Sequence, residues 1–423
     1  MAIGRPSGHQ LPTNVETAVI GAGQAGLAMS WWLTQAGREH VVLEARDRLG
    51  GGWLKRWDSF CLVTPNWSVR PPGLPYDGTD PDGYMPRDAL VAYMDRYGRS
   101  FDAPVVFGAR VTRLVPGGAD HRLDLETERG NLTARDVVVA TGPFQVPRIP
   151  AAADGLPAGV VQLHTDAYRN EAELPPGAVL VVGTGQSGAQ IAEELLHAGR
   201  RVFLSVSSSW RAPRRYRGRD TFFWLAQLAI RGPELGFPPE TVDDLPDPRM
   251  RFAANPHLSG KDGGHDINLR RLGADGVTLL GRVEAAANGR VELAPDLETN
   301  LHRADTFFDE HLRPDLDRFI ELAGFEAPPG DFAQFAFDPP AIGELDLAAE
   351  DIRSVIWATG FRFDFGWIPD LELDAMGYPL HRRGITPIPG LYLLGLPWLH
   401  TQASSLLVGV GNDAEYLAHQ ISG

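Results

Sequence analysis

Residues 19–26 read VIGAGQAG, and residues 181–188 repeat the phrase as VVGTGQSG. Each run is an apolar stretch that breaks into a Gly-x-Gly-x-x-Gly turn, and each is answered downstream by Ala-Thr-Gly, in VVVATG at 137–142 and VIWATG at 355–360. One such turn is a weak signal, but two with matched flanks and matched closures predict two dinucleotide-binding units in one chain. In each turn the first glycine (Gly21, Gly183) bends the chain sharply from strand to helix. The second (Gly23, Gly185) lets backbone approach a pyrophosphate, and the third (Gly26, Gly188) lets helix and strand pack closely. The helix that follows begins with Gln24 and Ala25 in one unit and with Gln186 and Ser187 in the other. Its N-terminus carries partial positive charge toward the phosphates.

Outward from the first turn, Glu16–Ile20 reads as a strand, Gln24–Gln35 as a helix stopped by Gly37, and His40–Glu44 as the next strand. The same βαβ grammar returns at Ala178–Val182, Gln186–His197 and Arg201–Val206, with Gly199 at the helix end. The fold class expected is α/β, with two Rossmann-like, three-layer dinucleotide-binding domains, the second inserted into the first. The first domain takes residues 1–142 and 361–423, a connector takes 143–172, and the second takes 173–360. An irregular, partly helical insertion fills about 208–350. It holds a predicted aromatic helix (Thr221–Ile230), a Gly/Asp loop (Ser259–Asp266) and a strand pair near Val277–Val283 and Arg290–Leu293. A helical pattern from Ala304 to Ala323 is broken at Pro314. Residues 1–15 read as a polar tail, and Leu391–Leu394 with a helix starting near Gly409–Asn412 closes the first domain.

The two units differ where the second strand ends. Glu44 stands 23 positions after Gly21 (44 − 21), followed by Ala45 and Arg46, where a carboxylate would accept the hydroxyls of a ribose. At the matching place the second unit has Ser205, Val206 and Ser207, and no carboxylate follows until Asp220. The run SSSWRAPRRYRGRD at 207–220 supplies arginines instead. Guanidinium groups hold phosphate bidentately. Ser207, Ser208, Arg211 and Arg214 are therefore expected to grip a 2′-phosphate, which favours NADPH and leaves NADH use open.

Bulk properties bound the rest. The 423 residues carry a net charge of −15, which argues against nucleic acid and against an anionic membrane surface as partners. Cys61 is the only cysteine, so neither a disulfide framework nor a dithiol relay is available. The histidines show no metal-ligand spacing, and no metal is expected. Without a signal-like or membrane-spanning apolar run, a cytoplasmic location is expected.

Beyond Glu44 the sequence continues EARDRLGGGW and LKRWDSFCLVTPNWS. Here, through Gly50, Gly51, Trp53, Trp57, Asp58, Leu62, Thr64 and Pro65, the chain resembles the bacterial flavin-containing monooxygenases, the class B flavoprotein monooxygenases. MPRDALVAYMDRY at 85–97 resembles a helix of the same family, and the resemblance covers nearly the whole chain. In LPAGVVQLHTDAYRN, His164 and Tyr168 match the second half of the family's Phe-x-Gly-x-x-x-His-x-x-x-aromatic link. Its first half is degraded: no phenylalanine precedes, and Gly159 stands five residues before His164. Tyr168-Arg169 replaces the Trp-Pro or Trp-Asp of Baeyer–Villiger enzymes. That points to the heteroatom-oxidising branch or to indole-pyruvate-type relatives.

The resemblance implies FAD on the first unit, held by Gly21, Gly23, Gln24, Ala25, Gly26, Glu44, Ala45 and Arg46. Gly51, Gly52, Trp53, Arg56, Thr64, Asn66, Val111, Ala140, Thr141, Gly142, Gly395 and Leu406 join that set. NADPH would lie on the second, against Gly183, Gly185, Gln186, Ser187, Gly188, Ala358, Thr359 and Gly360. Asn66, near the reactive flavin edge, and His164, a positioning residue, are the catalytic candidates, and Trp398, His400 and Gln402 are candidates to line the pocket. The implied activity is an NADPH- and O₂-dependent monooxygenation, with a FAD C4a-hydroperoxide passing one oxygen atom to a soft nitrogen or sulfur of a small organic substrate. Baeyer–Villiger or 2-oxo-acid decarboxylating oxygenation stays open, as do a NAD(P)H-flavin reductase and a redox-sensing flavoprotein. Assembly as a homodimer is left open too.

Overall fold

A computed structural model describes residues 9–117, 122–253, 255–330 and 332–422. Residues 1–8 of the expected polar tail, and Gly423, lie outside the described residues. The chain is a mixed α/β protein organised on two parallel-cored sheets. Residues Ala178–Val182 show why. All five are buried, as both faces of a strand are when helices cover each side of a parallel sheet. Residues Gly130–Val139 change character along their length, alternating at first and then running apolar through Val137–Val139. The alternating half pairs with an antiparallel neighbour, and the continuous half sits in the parallel core.

The first sheet contains β1 (Asn14–Ile20), β2 (His40–Glu44), β3 (Val105–Phe107), β4 (Val111–Pro116), β5 (Leu123–Thr127) and β6 (Gly130–Val139). Their order is β3-β2-β1-β6-β5-β4. The second sheet is all parallel. Its strands are β7 (Val161–His164), β8 (Ala178–Val182), β9 (Val202–Ser205), β10 (Thr278–Leu280) and β11 (Ile352–Trp357), in the order β10-β9-β8-β11-β7. Only after this does β12 (Leu391–Leu393) return to the first sheet, beside β6, with Leu391 opposite Val137. Helix α1 (Gln24–Gln35) packs on β1 and β2, α2 (Arg87–Ser100) packs against α1, and α3 (Gln186–His197) covers the second sheet. The buried residues of α3 and of one face of the second sheet share a core with Trp57, Phe60, Met85, Leu90 and Met94 of the first unit. The two units thus meet through apolar packing.

The insertion adds α4 (Thr221–Arg231), α5 (Leu269–Ala274), α6 (Leu297–Phe307) and α7 (Arg313–Leu322), and α8 (Val410–Ser422) closes the described chain. Two expectations change. The helical pattern does not end at Pro314: α6 passes through a π turn at Phe308–Leu312, just ahead of the proline, and continues as α7 with Pro314 in its first turn. The strand expected over 277–283 splits into β10 and a separate hairpin strand, Val283–Ala287. A Cβ on Gly281 would stand 1.9 Å from the Ala294 carbonyl, and Ser205 Oγ donates to the Gly281 carbonyl (3.0 Å) and accepts from Val283 N–H (3.2 Å). That close crossing ends the sheet strand. The Gly/Asp loop closes as a small hairpin, Leu258–Ser259 against His265–Asp266. Among the described residues, no helix is long and apolar enough to cross a membrane.

Candidate functional site

The two glycine turns are built alike, backbone against backbone. A Cβ on Gly21 (φ +105°) would stand 2.7 Å from the Ala140 carbonyl oxygen, and one on Gly26 only 1.8 Å from that of Gly21. In the second unit a Cβ on Gly183 (φ +101°) would stand 2.7 Å from the Ala358 carbonyl oxygen, and one on Gly188 2.0 Å from that of Gly183. These contacts join each turn to its Ala-Thr-Gly closure. The middle glycines differ. A Cβ on Gly23 would meet nothing nearer than the Gly51 Cα at 3.7 Å, and one on Gly185 would meet nothing within 4 Å. No side chain caps α1 or α3 at these glycines. Each unit therefore offers an open glycine face ahead of an uncapped helix N-terminus, the donor set that fits a pyrophosphate.

At the end of β2, Glu44 is buried and already organised. Ala22 N–H donates to Oε2 (2.8 Å) and Arg46 N–H to Oε1 (2.9 Å). Ala109 and Gly108 N–H donate to the carbonyls of Glu44 and Arg46, which carries Val111, the start of β4, alongside. The second unit reproduces this joint with a different group. Thr184 is the counterpart of Ala22, and its N–H donates to Ser207 Oγ (3.3 Å), while Ser207 N–H donates back to Thr184 Oγ1 (2.9 Å). A neutral hydroxyl thus stands where the first unit holds a carboxylate.

The two arginines expected at the phosphate already have partners within the protein. Arg211 and Arg214 each have side chains 4% exposed. Arg211 donates to Asp266 (2.9 Å) and stands 4.2 Å over the Phe332 ring. Arg214 pairs with Asp220 (2.7 Å), and it donates to the Tyr84 hydroxyl (2.8 Å) and the Val63 carbonyl (2.6 Å). A buried guanidinium needs a partner, and the carboxylates of the insertion supply it. Both arginines are thus held in internal ion pairs, with Asp266 and Asp220 as partners. Arg303, which the sequence reading passed over, does reach the joint: its Nη1 donates to Ser208 Oγ at 2.8 Å.

Around the first turn the structure collects several expected residues. Trp53 Nε1 donates to Gln24 Oε1 (3.2 Å), and Gln24 Nε2 donates to the Ser405 carbonyl (2.6 Å), next to Leu406. Gly395 (φ +76°) lies so near α1 that a Cβ would stand 2.6 Å from that of Ala25. Gly51 (φ +53°) lies against Gly23, where its own Cβ would meet Cα at 2.8 Å, and Gly52 is exposed beside it. The Arg56 guanidinium stands 4.7 Å over Phe144 and 5.5 Å over Phe60. Burial pulls its pKa down to about 10 against the opposing charge of Asp166. Thr64 is half-buried and leads into Asn66, which is 6% exposed. Asn66 Nδ2 donates to the Asp80 carbonyl (2.9 Å), and its Oδ1 is buried without a partner among the described residues. Trp398 is buried at φ +56°, and the His400 carbonyl accepts from Val242 N–H (2.8 Å), while Gln402 is exposed.

His164 sits elsewhere, at the link between the sheets. Its Nε2–H donates to the Gly360 carbonyl (2.9 Å), and its Nδ1 accepts from Asp166 N–H (3.1 Å). Both ring nitrogens are thus held by backbone, and burial pushes its pKa below the usual histidine value. The ring packs edge-on against Phe361 at 4.8 Å, and Phe361 packs on Phe144. Here the outgoing chain (Val146–Pro147) pairs antiparallel with the returning one (Phe361–Arg362). Gln145 donates to Thr141 Oγ1 (3.1 Å), and Thr359 Oγ1 donates to the Arg148 carbonyl. Two further residues escaped the sequence reading. Tyr84, held between Arg214 and Asp220, is pushed up to about 12 by burial and that carboxylate. His257 is fully buried and donates to the Thr184 carbonyl (2.6 Å). Neither belongs to a motif, and both act through contacts distant in sequence.

The family described as pyridine nucleotide-disulphide oxidoreductase matches residues 18–219. The chain is 34% identical over 411 residues to an uncharacterized oxidoreductase, CzcO-like, of Geobacillus kaustophilus, covering 96% of this chain and 98% of that one. It is 32% identical over 430 residues to the indole-3-pyruvate monooxygenase YUCCA1 of Oryza sativa subsp. japonica, covering 99% of this chain and 94% of the relative. Its fold matches that of a doubly substituted flavin monooxygenase from Stenotrophomonas maltophilia with a TM-score of 0.64 at 20% identity, over 97% of this chain and 99% of the other.

Proposed function

This chain belongs to the flavin-containing monooxygenase family, and from that premise we propose that it oxygenates a small organic substrate at a soft nitrogen or sulfur. In this reading FAD occupies the first glycine turn and NADPH the second. The domains divide as 1–142 with 361–423, a connector at 143–172, and 173–360. The observation that carries the assignment is the contrast between Glu44 and Ser207 at one and the same joint. A buried carboxylate accepts ribose hydroxyls and repels a phosphate, whereas a hydroxyl tolerates one. When bound, FAD supplies the redox and oxygen chemistry and NADPH the hydride.

What the chain itself contributes is grip, orientation and shelter from water. The open faces of Gly23 and Gly185, with the N-termini of α1 and α3, hold the pyrophosphates. Gln24 ties Trp53 to the 402–406 turn and so fixes the wall beside the first turn. The unpaired Oδ1 of Asn66 offers an acceptor in a buried place, where an unmade hydrogen bond costs about 1–3 kcal/mol. His164 acts as a positioning residue: a neutral ring that fastens the returning strand at Gly360 cannot also relay a proton from either nitrogen.

The test is a product screen under ¹⁸O₂ with NADPH, offering tertiary amines, sulfides, ketones and 2-oxo acids. One ¹⁸O atom per NADPH in an N-oxide or sulfoxide is expected. Stoichiometric peroxide with no labelled product would put a reductase in place of an oxygenase. A second reading, oxidative decarboxylation of a 2-oxo acid, is favoured by the full-length likeness to a relative named for indole-3-pyruvate. It would be read in the same screen as labelled carboxylate plus CO₂.

A further inference from the structure

We propose that Arg303, on helix α6 of the insertion, reads the 2′-phosphate of the coenzyme at the second glycine turn. The inference rests on the reading of that turn as an NADPH site. The joint after β9 lacks a carboxylate, so phosphate is tolerated there, but tolerance is not recognition. Recognition needs a cation held at the joint and not consumed by another partner. Arg303 meets both requirements. It is exposed, its Nη1 donates to Ser208 Oγ at 2.8 Å, and among the described residues no carboxylate pairs with it. Arg211 and Arg214, nearer in sequence, are enclosed in ion pairs.

Helix α6 is fixed against the loop by three contacts that keep step along it. Asn300 Nδ2 donates to the Val206 carbonyl (3.3 Å), Arg303 reaches Ser208, and Arg211 N–H donates to the Ala304 carbonyl (3.1 Å). One turn beyond Arg303, the Phe307 ring lies 4.7 Å from that of Trp210, tilted by 35°. The guanidinium is therefore carried on a braced helix and held by a single neutral hydroxyl, which a phosphate oxygen replaces without leaving a buried charge unpaired. Placement of the cation by the insertion, with the neutral Ser207 and Ser208 at the strand end itself, makes coenzyme choice depend on how α6 docks.

The experiment is calorimetric titration of the FAD-loaded full-length protein with adenosine 2′,5′-bisphosphate and with 5′-AMP. It reads binding, independent of turnover. Arg303→Ala is expected to weaken the bisphosphate about 10- to 100-fold, as loss of a charge-assisted contact does, while 5′-AMP stays within about twofold. Unchanged 5′-AMP binding also reports that the variant is folded. Arg303→Lys should keep most of the preference. A parent protein that binds both nucleotides equally, or an Arg303→Ala variant that keeps the preference, overturns the proposal and leaves the dinucleotide reading standing. A parent that binds neither nucleotide overturns both.

Discussion

Replacing Arg214 by alanine should damage stability and leave coenzyme choice alone. Its guanidinium pairs with Asp220 and reaches both Tyr84 and the Val63 carbonyl, with 4% of the side chain exposed. Truncation leaves the Asp220 carboxylate, 14% exposed, without its cation and the Val63 carbonyl without that donor. Breaking a buried pair by removing one partner costs about 3–5 kcal/mol. Asp220 keeps its bonds from Tyr84 Oη–H (2.7 Å) and Phe222 N–H (2.8 Å), which places this case at the lower end, about 3 kcal/mol. For a cooperative unit of roughly 200 residues, about 3 kcal/mol lowers the unfolding midpoint by roughly 6–12 °C. Thermal unfolding followed by near-ultraviolet circular dichroism measures this, and the Michaelis constants for NADPH and NADH should move together. The double variant Arg214→Met with Asp220→Asn, which removes both charges but keeps an acceptor for Phe222 N–H, should recover much of the loss. A midpoint within about 2 °C of the parent, with a Michaelis constant raised for NADPH alone, would refute the reasoning and return this arginine to the phosphate.

Glu44→Gln keeps the shape of the joint but removes the charge that Ala22 and Arg46 organise. FAD affinity should fall about 10- to 100-fold, read as the ratio of flavin to protein absorbance after dialysis. Ser207→Glu copies the first joint into the second, and it should turn coenzyme preference toward NADH, measured as the ratio of kcat/KM values for the two coenzymes. An unaltered ratio would mean that Ser207 does not face the ribose. Acid should destabilise the fold through His257, which burial pulls from 6.5 down to about 4. Between those values the unfolded chain carries a proton there that the folded chain refuses, so stability falls as pH falls. The slope is up to about 1.4 kcal/mol per pH unit from this residue. Denaturant midpoints from pH 7 to 4 check it, and His257→Phe should flatten that slope.

Local grammar made much of the fold legible. Helices α1 and α3 and strands β2 and β8 fall at the boundaries that their glycine turns and apolar runs predict. Where the chain obeys short-range rules, sequence and structure agree. They part where a distant partner decides. Nothing near Gly281 announces that the Ala294 carbonyl lies against it, so the apolar pattern runs on past the point where the strand ends. Pro314 reads as a helix breaker in isolation, yet a π turn beforehand delivers it to a first turn where proline is tolerated. The arginines after β9 show the same limit at the site. Five guanidinium groups in one run look like a phosphate clamp until Asp266 and Asp220 close on two of them, and neither pairing has a periodic signature.

The duplicated turns also explain why one small substitution separates the units. Each turn lies so close to the carbonyl of its Ala-Thr-Gly closure that an added Cβ would stand 2.7 Å from it, which leaves room for glycine alone. The frame can therefore accept little change without moving the glycine turn and the helix N-terminus behind it. The joint at the end of the second strand is different, because it is side chain to backbone: Glu44 to Ala22 in one unit, Ser207 to Thr184 in the other. A side chain can be exchanged there while the frame stays fixed. Thr184 then binds the loop from its own side, its hydroxyl accepting from Ser207 N–H, while its carbonyl accepts from His257. The second joint is thereby tied to the insertion through His257, and Arg303 joins the same loop from α6. The charged group at this joint is Arg303, brought by packing between the insertion and the strand end, whereas in the first unit it is Glu44 of the strand itself.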